Sequence, residues 1–137
     1  MPITLAVQFA NHILTQSANK EKRTMILSQK RCKRIEGDAD RLPAETEWGM
    51  LVQIPGWELH TKGTHTISRA FSFRDYVSTV KFANRIAEIA EGEEHYPDLH
   101  ISRGRVRVVL YTRPVQGLTE NDFILAAKID QLRERTL

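Results

Sequence analysis

The chain has 137 residues, 41% hydrophobic and 27% charged, which is enough for one domain around one core and ordinary for a soluble globular protein. A formal charge of +3 is too weak to argue by itself for a nucleic-acid partner, and a lone cysteine, Cys32, excludes an intramolecular disulfide and a multi-cysteine metal site. No apolar run approaches the ~20 residues of a membrane span, and the opening MPITLAVQFANHILTQ lacks the flank and cleavage site of a secretion signal, so a cytoplasmic protein is expected.

Residues 1–35 differ in composition from the rest. Between Lys20 and Arg34 stand Lys20, Lys22, Arg23, Lys30, Arg31, Lys33 and Arg34 against one acid, Glu21. Such a run reads as a solvated, flexible arm, or as an arm for an acidic partner surface. The domain proper is expected over 36–137. Gly37 to Leu42 is a polar connector, and Pro43 suits the first turn of a helix carrying Leu51, Val52 and Ile54. Pro55-Gly56 ends that segment.

Trp57 to Thr61 and His65 to Phe73 read as two strands joined through Gly63, with Ile67, Phe71 and Phe73 facing the core. Ser72 is placed as the cap of a long helix, with Asp75 three residues on. Its buried stripe is expected to be Tyr76, Val77, Val80, Ala83, Ile86, Ala87 and Ala90. Leu99 to Arg103 and Arg105 to Thr112 read as two more strands around Gly104. In the second, Val106, Val108 and Leu110 share one face while Arg105, Arg107 and Tyr111 share the other. Thr119 caps a last helix whose apolar side is Phe123, Leu125, Ala126, Ile129 and Leu132. The order α-β-β-α-β-β-α predicts an α+β fold: a four-stranded antiparallel sheet with three helices packed on one face.

The stretch EGEEHYPDLHISRGRVRVVLYTRPVQGLTEND, Glu91 to Asp122, resembles the signature of the pterin-4a-carbinolamine dehydratase family. That signature has an acid, then His-His-Pro, an aromatic, a distal His and an Asp. This chain keeps Glu91, His95, Pro97 and Asp122; it has Tyr96 at the second adjacent histidine, Arg103 at the aromatic and Arg113 at the distal histidine. IPGWEL, ISRAFSF, FANRIAEIAE and GLTENDFILAAKID also look like family segments, so the resemblance covers roughly residues 36–133. It implies the same α+β sandwich, a homodimer or tetramer, and no cofactor or metal.

The family's reaction removes water from a 4a-hydroxytetrahydropterin. A proton leaves a ring nitrogen and another reaches the departing hydroxyl. Imidazoles, with a reference pKa of ~6.5, suit both roles. Tyr96 is a poor base, and Arg113 stays protonated. The resemblance places the ligand pocket at Glu91, His95, Pro97, Asp98 and Asp122. Catalysis falls to His95 as a remnant, with Tyr96 and Arg113 at replaced positions.

An intact fold with a reduced imidazole set also resembles a degenerate branch of the family whose members are Rubisco assembly factors associated with the α-carboxysome. That reading implies Rubisco subunits as partners and carboxysome association, with Arg103, Arg105, Arg107 and Arg113 as the contact set and no nucleic acid or membrane partner. The alternative keeps 4a-hydroxytetrahydrobiopterin dehydratase activity. A transcriptional role ranks last, because nothing matches a DNA-reading motif. His60, His65 and His100 are expected at the surface, since their spacing matches no standard metal motif.

Overall fold

The computed structural model describes residues 27–136. The first part of the basic arm, with Lys20, Lys22 and Arg23, lies outside the described residues. Helix α1 spans Ala44–Leu51, α2 Tyr76–Glu93 and α3 Glu120–Thr136. The strands are β1 Glu58–His60, β2 Thr66–Ser72, β3 Asp98–Ser102 and β4 Arg105–Leu110, with short 3-10 turns at Asp38–Asp40 and Arg113–Val115. No helix among the described residues is long and apolar enough to cross a membrane.

The expected α+β architecture is present. Two hairpins meet through their inner strands to give one antiparallel sheet in the order β1-β2-β4-β3. The β2–β4 register pairs Ile67 with Leu110, Arg69 with Val108 and Phe71 with Val106. Directly opposed residues share a face, so Ile67, Phe71, Val106, Val108 and Leu110 make one apolar surface, with Arg69 at its side. On it lie Phe82, Ala83 and Ile86 of α2 and Phe123, Leu125, Ala126 and Ile129 of α3, all buried in one core, with Met50 and Leu51 of α1 at its margin. Gly104 turns the second hairpin at φ 77, and a Cβ there would sit 3.0 Å from Phe73 O. Gly104 O accepts from Phe73 N at 2.8 Å, so this turn needs both the left-handed backbone and the missing side chain.

Three local expectations are corrected. The cap of α2 is Asp75, whose Oδ1 accepts from Ser78 N at 2.7 Å, and the helix starts at Tyr76; Ser72 is the last residue of β2. The buried face of α2 is Thr79, Phe82, Ala83, Ile86, Ala90 and Glu93, rotated from the predicted stripe. Phe82 sets the rotation by packing between Phe71 and Phe73, with ring centroids 5.0 and 4.9 Å away. Tyr76 and Val77 are left 54% and 62% exposed. Pro43 sits at the cap of α1 rather than inside its first turn.

The segment 27–35, expected to continue the flexible arm, packs on the domain. Leu27 belongs to the core, Gln131 Nε2 donates to Ser28 Oγ at 2.8 Å, and Lys30 Nζ reaches Glu120 Oε1 at 2.6 Å. Farther along, Leu42 N donates to Leu118 O at 2.8 Å, tying the chain to the loop before α3. We call residues 27–42 the strap.

Candidate active site: a buried histidine–aspartate pair beneath a cleft

Helix α2 ends in a Schellman-type reversal. Glu94 takes the left-handed conformation at φ 53, its N–H meets Glu91 O at 3.4 Å, and His95 N–H meets Ala90 O at 3.2 Å. A non-glycine residue there costs on the order of 1 kcal/mol. What the turn achieves is to send His95 inward, where the residue is 8% exposed. Across the core end, Asp122 stands in the first turn of α3 and is fully buried. His95 Nε2 and Asp122 Oδ1 are 2.6 Å apart.

The other oxygen of Asp122 is also occupied. Oδ2 accepts from Thr112 Oγ1 at 2.8 Å and from Thr119 N at 2.9 Å. Thr112's single hydroxyl proton goes to Asp122, so its oxygen accepts from Thr119 Oγ1, 2.9 Å away. Thr112 is held after β4 by its N–H bond to Gly117 O at 2.8 Å. With Asp122 as an acceptor throughout, and at the positive end of a helix, the proton of the 2.6 Å contact belongs to His95 Nε2. Nδ1 is then the ring nitrogen without a hydrogen-bond partner among the described residues. This carboxylate–imidazole arrangement fixes tautomer and ring orientation together.

Next to the pair lies a cleft of about 430 Å³ lined by His95, Tyr96, Tyr111, Thr112, Arg113 and Pro114, by Cys32 to Ile35 of the strap, and by Glu93, Glu94 and Asn121. Arg113 is not a free charge: Nη2 donates to Asp98 Oδ1 at 2.6 Å and Nη1 to Tyr111 Oη at 2.6 Å. Tyr96 is 55% exposed. Its hydroxyl donates over 3.4 Å to Glu91 Oε2, and the charge of Glu91 raises its phenol above the usual 10.0. Tyr96 is therefore a protonated O–H donor at neutral pH.

Of the residues singled out in the sequence, His95, Tyr96 and Arg113 meet at this cleft. Asp122 supports it from below, while Asp98 and Glu91 engage Arg113 and Tyr96 from outside. Pro97 is half-buried next to Tyr96. The four arginines stand on different parts of the chain's second half. Arg103 is exposed at the β3–β4 turn; Arg105 sits opposite Ser72 and Ser102, and Arg107 opposite Ala70 and His100, on the face away from the core. Arg113 belongs to the cleft. His65 is not a simple surface residue, since its Nδ1 lies 2.8 Å from Oε1 of the buried Glu47.

Sequence reasoning missed the cradle behind Asp122 and the strap's wall of the cleft. The first had a signal, the Thr119-x-x-Asp122 spacing of a capping box, in which the fourth residue reaches back to the cap. The second had none, because Cys32 and Lys33 are held through their backbone.

The family model for Pterin 4 alpha carbinolamine dehydratase matches residues 41–132. This chain belongs to the pterin-4a-carbinolamine dehydratase family. A relative from Halorhodospira halophila named "Putative pterin-4-alpha-carbinolamine dehydratase" is 41% identical over 108 residues, covering 79% of this chain and 98% of its own. Among solved structures, the Brucella melitensis transcriptional coactivator/pterin dehydratase superposes with a TM-score of 0.63 at 29% identity, covering 67% of this chain and 97% of that one. A pterin dehydratase-like RuBisCO assembly factor of the alpha-carboxysome aligns at a TM-score of 0.49 and 22% identity, over 56% of this chain and 88% of that one. A likeness of that size carries no functional argument. Within the dehydratase family fold, the signature's His95 and Asp122 are the two residues in direct contact.

Proposed function

We propose that this protein dehydrates a 4a-hydroxytetrahydropterin, with His95 as the acid–base group. The observation that carries the reading is the buried His95–Asp122 pair under an open cleft. The required chemistry is small. A base removes the proton from the ring N–H, and that electron pair forms the C=N bond of the quinonoid product. The C4a–O bond breaks, and the leaving hydroxyl takes a proton to become water. His95 Nδ1 accepts the first proton, the imidazolium so formed is stabilised by Asp122, and it then gives that proton to the departing hydroxyl, which returns His95 to its starting form. The Arg113 guanidinium, which has N–H groups beyond the two given to Asp98 and Tyr111, supplies donors toward the departing oxygen and the ring's polar edge. One positioned acid–base group supplies roughly 10²–10⁴-fold in rate, so the replaced histidines lower the rate without removing the chemistry.

The test is loss of the 4a-carbinolamine followed by stopped flow. The protein accelerates it above the uncatalysed rate if the reading holds; a rate equal to buffer alone rejects it.

The Rubisco assembly reading, with carboxysome association, is the second. One observation favours it: Arg105 and Arg107 stand on the helix-free face of the sheet with no side-chain partner among the described residues, a surface suited to an acidic subunit. Rubisco yield unchanged by co-expression would set it aside. Under either reading the protein acts as a homo-oligomer.

A further inference from the structure

The strap passes directly over the supports of the catalytic pair. Cys32 N donates to Glu93 Oε2 at 2.8 Å. One residue on, the Lys33 peptide is gripped from both sides by the Asn121 carboxamide: Lys33 N donates to Oδ1 at 3.0 Å, and Nδ2 donates to Lys33 O at 2.7 Å. Asn121 is 3% exposed and Glu93 8%. Glu93 is an ionised anchor. Burial alone would raise its carboxyl, but Lys128 Nζ at 2.8 Å, the Cys32 N–H and Arg31 outweigh that and hold it below its ordinary value.

Both clamps neighbour the catalytic pair in sequence, Asn121 beside Asp122 and Glu93 two residues before His95. The strap thus has its register set by the turns that aim the imidazole and its carboxylate. Cys32, Lys33, Arg34 and Ile35 then line the same cleft as Tyr111, Arg113 and Pro114. Gly117 permits the approach behind it, since a Cβ there would lie 2.8 Å from Arg41 Cδ. The region that matches the family model starts at residue 41 and supplies Tyr111 to Pro114; the strap supplies Cys32 to Ile35.

We infer that residues 32–35 form one wall of the substrate site and that Asn121 is the positioning residue for that wall. The inference rests on reading the cleft as a pterin site. Side-chain identity at residue 33 does not make the clamp, because both bonds use its peptide group.

The test measures the Kd of 7,8-dihydrobiopterin by calorimetry, with KM and kcat for the 4a-carbinolamine, in the full chain and its variants. Lys33→Pro deletes the donated N–H, and Asn121→Ala deletes the carboxamide. Lys30→Ala removes only an exposed ion pair on the strap, outside the cleft, and serves as the control. Thermal melts confirm that each variant folds. Kd and KM are expected to rise about tenfold in Lys33→Pro and Asn121→Ala, the effect of losing one buried bonded contact. kcat should fall less than KM rises, and Lys30→Ala should stay within about twofold in Kd, in line with the small worth of exposed pairs. Unchanged Kd in both clamp variants, or a fall in kcat alone, overturns the inference while leaving the pterin reading in place. A wild-type protein that neither binds nor converts the pterin overturns both.

Discussion

At Asp130 two opposing effects meet on one carboxyl. Trp57 Nε1 donates to both of its oxygens, at 2.9 and 3.1 Å, and Arg69 Nη1 to Oδ1 at 2.8 Å. Burial nevertheless dominates and pushes the group from 3.8 up to about 6, against the pull of Trp57 and Arg69. The folded protein therefore holds this proton more tightly than the unfolded chain does. The stability it contributes is complete below pH 3.8 and is lost as pH rises through about 6. A shift of this size corresponds to roughly 3 kcal/mol at 1.36 kcal/mol per unit. Asp130→Asn mimics the protonated form. The wild type's unfolding free energy in urea, relative to this variant, is expected to fall between pH 4 and pH 7; a flat or rising difference would contradict the assignment. Asp130 could not be picked out in the sequence. It reads there as one polar residue of an amphipathic helix, and its partners lie 73 and 61 positions away.

Among the elements, the strap is where sequence pattern and structure diverge most. Lys30, Arg31, Lys33 and Arg34 look like a solvated run because nothing apolar repeats among them. Yet the peptide groups at Cys32 and Lys33 are bonded to Glu93 and Asn121. Backbone docking of this kind leaves no side-chain periodicity to read. Docking also silences Cys32: its thiol is pushed up to about 12, first by burial and then by the charge of Glu93. Only the thiolate alkylates. Iodoacetamide at pH 8 should label Cys32 slowly in the folded protein and rapidly in urea, with Asn121→Ala labelling faster than wild type under native conditions. Equal rates in the folded and unfolded wild type would mean that the strap is not held. Helix α2 gives the milder lesson. Its length and existence were legible from three- and four-residue spacing, but its rotation was set by Phe82 packing on Phe71 and Phe73, a tertiary contact. The strands were legible because Ile67, Phe71, Val106, Val108 and Leu110 alternate strictly.

For the whole molecule, the α-β-β-α-β-β-α order was sufficient to predict one antiparallel sheet with helices on one face. Half of the site was also legible, since His95, Tyr96 and Arg113 do line one cleft. The share of the lining that comes from Cys32 to Ile35 was not. The surface carries Trp48 at 57%, Val52 at 63%, Tyr76 at 54% and Val77 at 62% exposure. Trp48 in α1 and Val52 at its C-terminal cap are four residues apart and share one face, and adjacent exposed apolar side chains of this kind mark a contact surface. Sedimentation equilibrium should give a species larger than the 15.8 kDa chain, and Trp48→Arg should shift it toward smaller forms. A strictly monomeric wild type would remove the proposed oligomer.

The central claim is that one imidazole, oriented by one buried carboxylate, is sufficient for dehydration. The most direct measurement is the single-turnover rate of 4a-carbinolamine loss with wild type, His95→Gln and Asp122→Asn under the same conditions. The account predicts a wild-type rate above the uncatalysed one, with His95→Gln falling at least about 10²-fold toward background and Asp122→Asn falling with it. A His95→Gln variant as fast as wild type would contradict it.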